Sequence, residues 1–138
     1  MAARSGIWKA LIMPITQIFL SPSAVSSFFP KAEQVTDAVT KALIDHLKPA
    51  PQTIQVMLAA MLAPPQGCDV LCIVNHRASA ARTSAVRDAA AVALHDILHA
   101  VSGQSVRVRL IAIEGADIAA MDTQFPFPDA AMTERSKP

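Results

Sequence analysis

In the segment KALIMPITQIFL, residues 9–20, a Met-Pro pair stands directly before a short run rich in β-branched and apolar residues. Pro14 has two chemically distinct fates. Inside a chain its nitrogen is a tertiary amide without a proton, and the residue merely begins an edge strand, which tolerates the missing N–H. In a chain that starts at Met13, loss of the methionine, which is readily removed before so small a residue, leaves Pro14 as a terminal secondary amine. Apolar burial and nearby cations both disfavour the charged form of such an amine and lower its pKa. An amine poised near neutrality is a general acid–base group.

Other reactive residue types read as structural. Cys68 and Cys72 are the only cysteines. Four apart around a predicted strand, they sit roughly 13 Å apart on an extended chain, too far for a disulfide. They are not a CxxC pair, and no second pair exists for zinc, so they read as reduced, mostly buried thiols of a cytosolic protein. His95 and His99 have the i, i+4 spacing of a helical metal pair. They fall off the apolar stripe, and no Glu follows His95 as in HExxH, so they read as a solvated face and no metal site is expected. Arg107 and Arg109 alternate on one face of the last strand and read as interface or surface charges.

The elements that must position Pro14 follow from composition and periodicity. The chain has 138 residues, 52 % hydrophobic and 17 % charged, with a formal net charge of +1. That suits one domain with a real core and gives no reason to expect a nucleic-acid partner. Five Phe, one Trp and no Tyr leave little for base stacking. No segment reaches the ~18 continuous apolar residues of a membrane span. Lys9 breaks the apolar stretch 7–13 and no small-residue cleavage site follows it, which argues against a signal peptide.

Along the chain, 14–20 reads as a strand and 21–30, with two prolines and four serines, as a loop. Residues 31–48 have helical spacing, with Val35, Val39, Ala42, Leu43 and Leu47 on one stripe, and the PAP at 49–51 stops that helix. A strand spans 53–62 and a loop 63–67. A continuous apolar run at 69–75 reads as a buried strand. A loop spans 76–84, with Thr83 or Ser84 as N-cap. A helix spans 84–101, with Val86, Ala90, Ala93, Leu94, Ile97, Leu98 and Val101 on one face, and Gly103 ends it. The fourth strand spans 105–113.

The halves also match in letters. QTIQV at 52–56 answers QSVRV at 104–108, and ALIDHL at 42–47 answers ALHDIL at 93–98, in the same order and at nearly the same offset. We read a duplicated β-α-β unit, with halves 14–62 and 69–113. Each half supplies two parallel strands joined by a right-handed crossover helix. The fold class is α/β: a four-stranded sheet with both helices on one face. Strands two and three are apolar on both sides, so the open face needs a cover, supplied by association into a closed oligomer. From residue 115 the tail carries FPFP and ends in TERSKP; an ordered start packed on a neighbour and a frayed end are expected. Residues 1–13 form an extension, 14–125 the domain and 126–138 a flexible tail.

A β-α-β repeat of this length with MP before its first strand resembles the tautomerase superfamily, the fold of 4-oxalocrotonate tautomerase (4-OT) and macrophage migration inhibitory factor, from residue 13 to about 125. The resemblance implies homotrimers that use an amino-terminal proline. Three stretches are similar to the branch that includes cis-3-chloroacrylic acid dehalogenase. In NHRASAARTSAVRDA, 75–89, Arg77 and Arg82 match two active-site arginines. In IAIEGADIAAM, 111–121, Glu114 matches an active-site glutamate. In AVTKALIDHLKP, 38–49, His46 stands near a histidine that approaches the proline, and Lys48 where the macrophage factor branch has a lysine.

The resemblance implies a cofactor-free isomerase for a small 2-hydroxy-enoate or 2-keto acid. Pro14 would be the base. Arg77 and Arg82 would grip the carboxylate, because a planar guanidinium fork fits it and steadies a developing enolate; Glu114 would orient the substrate or activate water, and His46 and Lys48 would add to the substrate site. One alternative is a hydratase or dehalogenase for 3-substituted acrylates, against which the lack of tyrosine counts. The other is a non-catalytic trimer in which residues 1–13 persist and Pro14 stays internal. The implied partners are a small carboxylate substrate and copies of the chain, in the cytoplasm, with no nucleic acid and no membrane.

Overall fold

The computed structural model describes residues 14–50, 53–121 and 123. The expected extension 1–13 and tail 126–138 lie outside the described residues. Four strands, β1 (Ile15–Leu20), β2 (Gln55–Ala60), β3 (Val70–Arg77) and β4 (Val106–Ile113), form one sheet in the order β2-β1-β3-β4. β1 runs parallel to β2 and β3 parallel to β4, while β1 and β3 meet antiparallel at the centre. Each half is thus a β-α-β unit, as the repeat requires.

Alternation along the strands divides the sheet into two faces. Thr16, Ile18, Leu20, Val70, Cys72, Val74 and His76 are buried on one face. The helices α2 (Ala32–Leu47) and α3 (Ser84–Ser102) cover it, meeting it with Val35, Val39, Leu43 and Leu47 and with Ala90, Leu94 and Leu98. Every position expected on the two apolar stripes is buried or packed against this core. Each fully buried Leu or Ile removes enough apolar surface from water to stabilise the fold by about 1.5–3 kcal/mol. The opposite face, with Ile15, Phe19, Met57, Leu71, Ile73 and Ile111, is only half-buried or exposed, which matches the expected unpartnered face.

The second strand is shorter than the 53–62 read from the sequence, spanning Gln55–Ala60, and two larger differences stand out. The stretch read as a loop at 21–30 contains a helix, α1 (Pro22–Phe28), followed by a 3-10 turn at Phe29–Lys31. Ser21 is extended at the N-cap and Pro22 occupies the first helical turn, where a missing N–H costs nothing. Ala24 and Phe28, one turn apart, bury the inner side. In addition, β3 runs to Arg77, so His76 and Arg77 are strand residues rather than loop. Their ladder continues because His76 and Arg77 pair with Ala112 and Ile113 of β4.

Candidate active site at the Pro14 end of the sheet

Strand polarity gathers one end of the sheet. β1 and β2 begin there, and β3 and β4, running the other way, end there. Pro14 is buried at the start of β1, and its carbonyl accepts the Gln55 N–H at 3.1 Å. Ile15 pairs with Asn75, so the antiparallel register carried back one residue sets Pro14 against His76. One strand further across, Arg77 pairs with Ile113, and Glu114 follows it. The Ala78 N–H bonds the Ile113 carbonyl at 2.8 Å and ties the two strand ends together. α2 runs back along the sheet and delivers His46, Leu47 and Lys48 to the same end.

The two arginines of the 77–82 stretch differ in their surroundings. Arg82 is half-buried. Its Nε donates to the Leu47 carbonyl at 3.1 Å and its Nη1 to the Arg77 carbonyl at 2.9 Å. It therefore caps the end of α2 and fastens the loop, and only part of its fork stays available. Burial, with the Arg77 charge beside it, lowers its pKa from the usual guanidinium value. Arg77 is exposed, and its guanidinium donates no hydrogen bond among the described residues. Glu114 is exposed too, at the head of the 3-10 turn Gly115–Asp117, where its carbonyl accepts the Asp117 N–H at 2.9 Å.

His46 is half-buried in the last turn of α2. Lys48 is exposed at the helix C-cap with φ 51°, in the left-handed region, and its N–H closes on the Ile44 carbonyl. Neither side chain hydrogen-bonds another of these residues among those described. Arg107 and Arg109 are exposed on the open face. Arg107 reaches the Gly67 carbonyl at 3.4 Å and Arg109 its neighbour's carbonyl at 2.8 Å, as surface charges do. His95 and His99 stack at 5.6 Å between centroids on the outer side of α3, His95 against Asp96 and His99 against the Gln104 carbonyl. Both cysteines are buried free thiols, and burial pushes Cys72 up to about 12. A hollow of about 490 Å³ lies between α3 and the outer edge of β4, and no residue of the Pro14 end lines it.

His76 is the residue the sequence reading passed over. It is fully buried beside Pro14 on the helix-covered face. Its Nδ1 lies 3.2 Å from the Arg77 carbonyl, which only accepts, so Nδ1 carries the proton and Nε2 is the bare nitrogen. Among the described residues, neither His76 Nε2 nor the buried Thr16 Oγ1 on the same face has a partner. Burial lowers the His76 pKa, and the Arg82 and Arg87 charges add to that, against the opposing bond to Arg77. The signal was the even-numbered alternation of Val70, Cys72 and Val74, which reaches His76 if the strand is run two residues further.

No protein-family model matches the chain, and no curated protein matches its sequence. Solved structures do match. N1, a member of the cis-3-chloroacrylic acid dehalogenase family, aligns with TM-score 0.64 at 15 % identity over 89 % of this chain and 91 % of its own. Pt0534, inactivated by 2-oxo-3-pentynoate, aligns with TM-score 0.63 at 19 % identity over 77 % and 91 %. A fused 4-OT solved as a symmetric trimer aligns with TM-score 0.56 at 18 % identity over 80 % and 94 %. At such identities it is the architecture that is shared, and the chain carries the tautomerase-superfamily fold.

Proposed function

We propose that this protein is a cofactor-independent tautomerase acting on a small 2-hydroxy-enoate or 2-keto acid. The observation that supports the reading is that strand register brings Pro14, Arg77 and Glu114 to the same end of the sheet. With Pro14 as the terminal residue, its ring nitrogen takes a proton from the substrate and returns it to another atom of the same molecule. The net change is an isomerisation needing no further reactant. Arg77 offers its fork to the substrate carboxylate. Arg82 adds positive charge while holding the loop, Glu114 orients the substrate, and His46 and Lys48 add to the substrate site. Copies of the chain cover one another's open sheet faces as a trimer, the assembly of the fused 4-OT relative, in the cytoplasm.

Intact mass and N-terminal sequencing of protein from its native host test the first requirement. A chain starting at Pro14 has the amine; a chain retaining residues 1–13 has an amide there and is a non-catalytic trimer of the same fold. With the amine present, phenylenolpyruvate and 2-hydroxymuconate are the trial substrates. Pro14→Ala removes most of the activity, and a fully active Pro14→Ala variant sinks the assignment.

A further inference from the structure

Gly115 follows Glu114 and opens the short turn after β4. Its φ lies outside the left-handed region, where only Gly67 and Gly103 are found among the described glycines, so its backbone does not ask for glycine. Its surroundings do. A Cβ on Gly115 would stand 2.8 Å from Arg77 Nε, 3.0 Å from Nη2 and 3.3 Å from Cζ. Nearly equal distances to the two nitrogens, with the carbon behind them, place that point in front of the Nε–Nη2 edge of the guanidinium. This edge therefore lies against the bare Cα of Gly115. The Nη1–Nη2 end, which makes no hydrogen bond among the described residues, is the part left free. Arg77 reaches this turn because β3 continues one residue past His76 and pairs with Ile113, two residues before Gly115.

We propose that Gly115 is a positioning residue for Arg77: its missing side chain seats the guanidinium so that the Nη1–Nη2 end faces an incoming carboxylate. The inference rests on the tautomerase reading for the role of Arg77, though not for the seat itself. An alanine methyl group overlaps the end of a flexible side chain, not a backbone. The arginine moves, the chain does not, and the cost falls on orientation rather than folding. A fork that must be re-aimed for each binding event loses the preorganised, bidentate part of its grip.

The test uses the protein as its host processes it, with Gly115→Ala, Arg77→Lys and the double variant. Lysine keeps the charge and removes the planar edge that Gly115 accommodates. In Gly115→Ala, far-UV circular dichroism and melting stay as in the parent, and the Arg77 Nε–Hε cross-peak, identified by its loss in Arg77→Lys, moves. KM for phenylenolpyruvate rises about tenfold with kcat within about twofold. In the Arg77→Lys background the same alanine leaves KM unchanged, which is the signature of an effect passing through the guanidinium. A cross-peak that stays in place refutes the seat. An equal rise in KM in both backgrounds refutes the route through Arg77. A cross-peak that moves with no change in KM leaves the contact standing but refutes Gly115 as a positioning residue for substrate binding. An inactive parent overturns the tautomerase reading, while the cross-peak still decides the seat.

Discussion

The two arginines that look equivalent in NHRASAARTS are predicted to fail in opposite ways. Arg82→Met keeps the aliphatic stem and deletes two charge-assisted hydrogen bonds, to the Leu47 carbonyl at 3.1 Å and the Arg77 carbonyl at 2.9 Å. Hydrogen bonds from a charged donor contribute roughly 1.5–3 kcal/mol when well buried. Arg82 is half-buried, so water replaces part of what is lost, and removing it relieves its repulsion with Arg77. The lower end applies to the pair together, about 1.5–2 kcal/mol. Leu47 closes α2, and its carbonyl is one of the helix-end acceptors with no intrahelical partner, so the loss falls on a group that needs one. For a chain of this size that corresponds to a Tm lower by about 5 °C. Arg77→Met removes an exposed guanidinium without hydrogen bonds among the described residues, so its Tm stays at the parent value while activity on phenylenolpyruvate falls. The assay is thermal denaturation at one fixed protein concentration, because association adds to apparent stability. Equal Tm values for the two variants, or a larger loss for Arg77→Met, would refute the division of roles.

Two further outcomes are expected. Burial lowers the His76 pKa, so the unfolded chain binds the proton more readily than the native one. The stability this contributes is present above the ordinary histidine pKa of about 6.5 and is lost as pH falls through it. Urea titrations between pH 5 and 8 should show that slope in the parent and a weaker one in His76→Phe; equal slopes in both would remove His76 as its source. Ile111 is 46 % exposed on the open sheet face. Ile111→Glu should leave the monomer fold intact by circular dichroism and reduce the trimer fraction in light scattering, and an undiminished trimer would show that this face is not the interface.

The fold was largely legible in the sequence because it rests on periodicity. The stripes of α2 and α3 were readable as every third or fourth apolar residue, and all of those positions face the core. The doubled β-α-β order predicted the parallel pairs. α1 escaped because its serines and prolines look like a loop in bulk, although Ser21-Pro22 is a helix start and Ala24 and Phe28 are one turn apart. His76 escaped because a strand end depends on whether a partner continues the ladder, and that partner, Ala112, lies far along the chain.

By itself the sequence determined the four strands and the two long helices, which of their faces are apolar, and that Pro14 stands where the first strand begins. These are local matters of rotamer, capping and spacing. The tertiary structure alone decided that Arg82 spends its donors on two carbonyls while Arg77 keeps its own. It also decided that a histidine lies buried beside Pro14, and that Gly115 is bare where a guanidinium needs room. Each depends on groups brought together from distant parts of the chain by strand register, and hydrogen-bond partners and steric contacts of that kind leave no periodic trace in the letters.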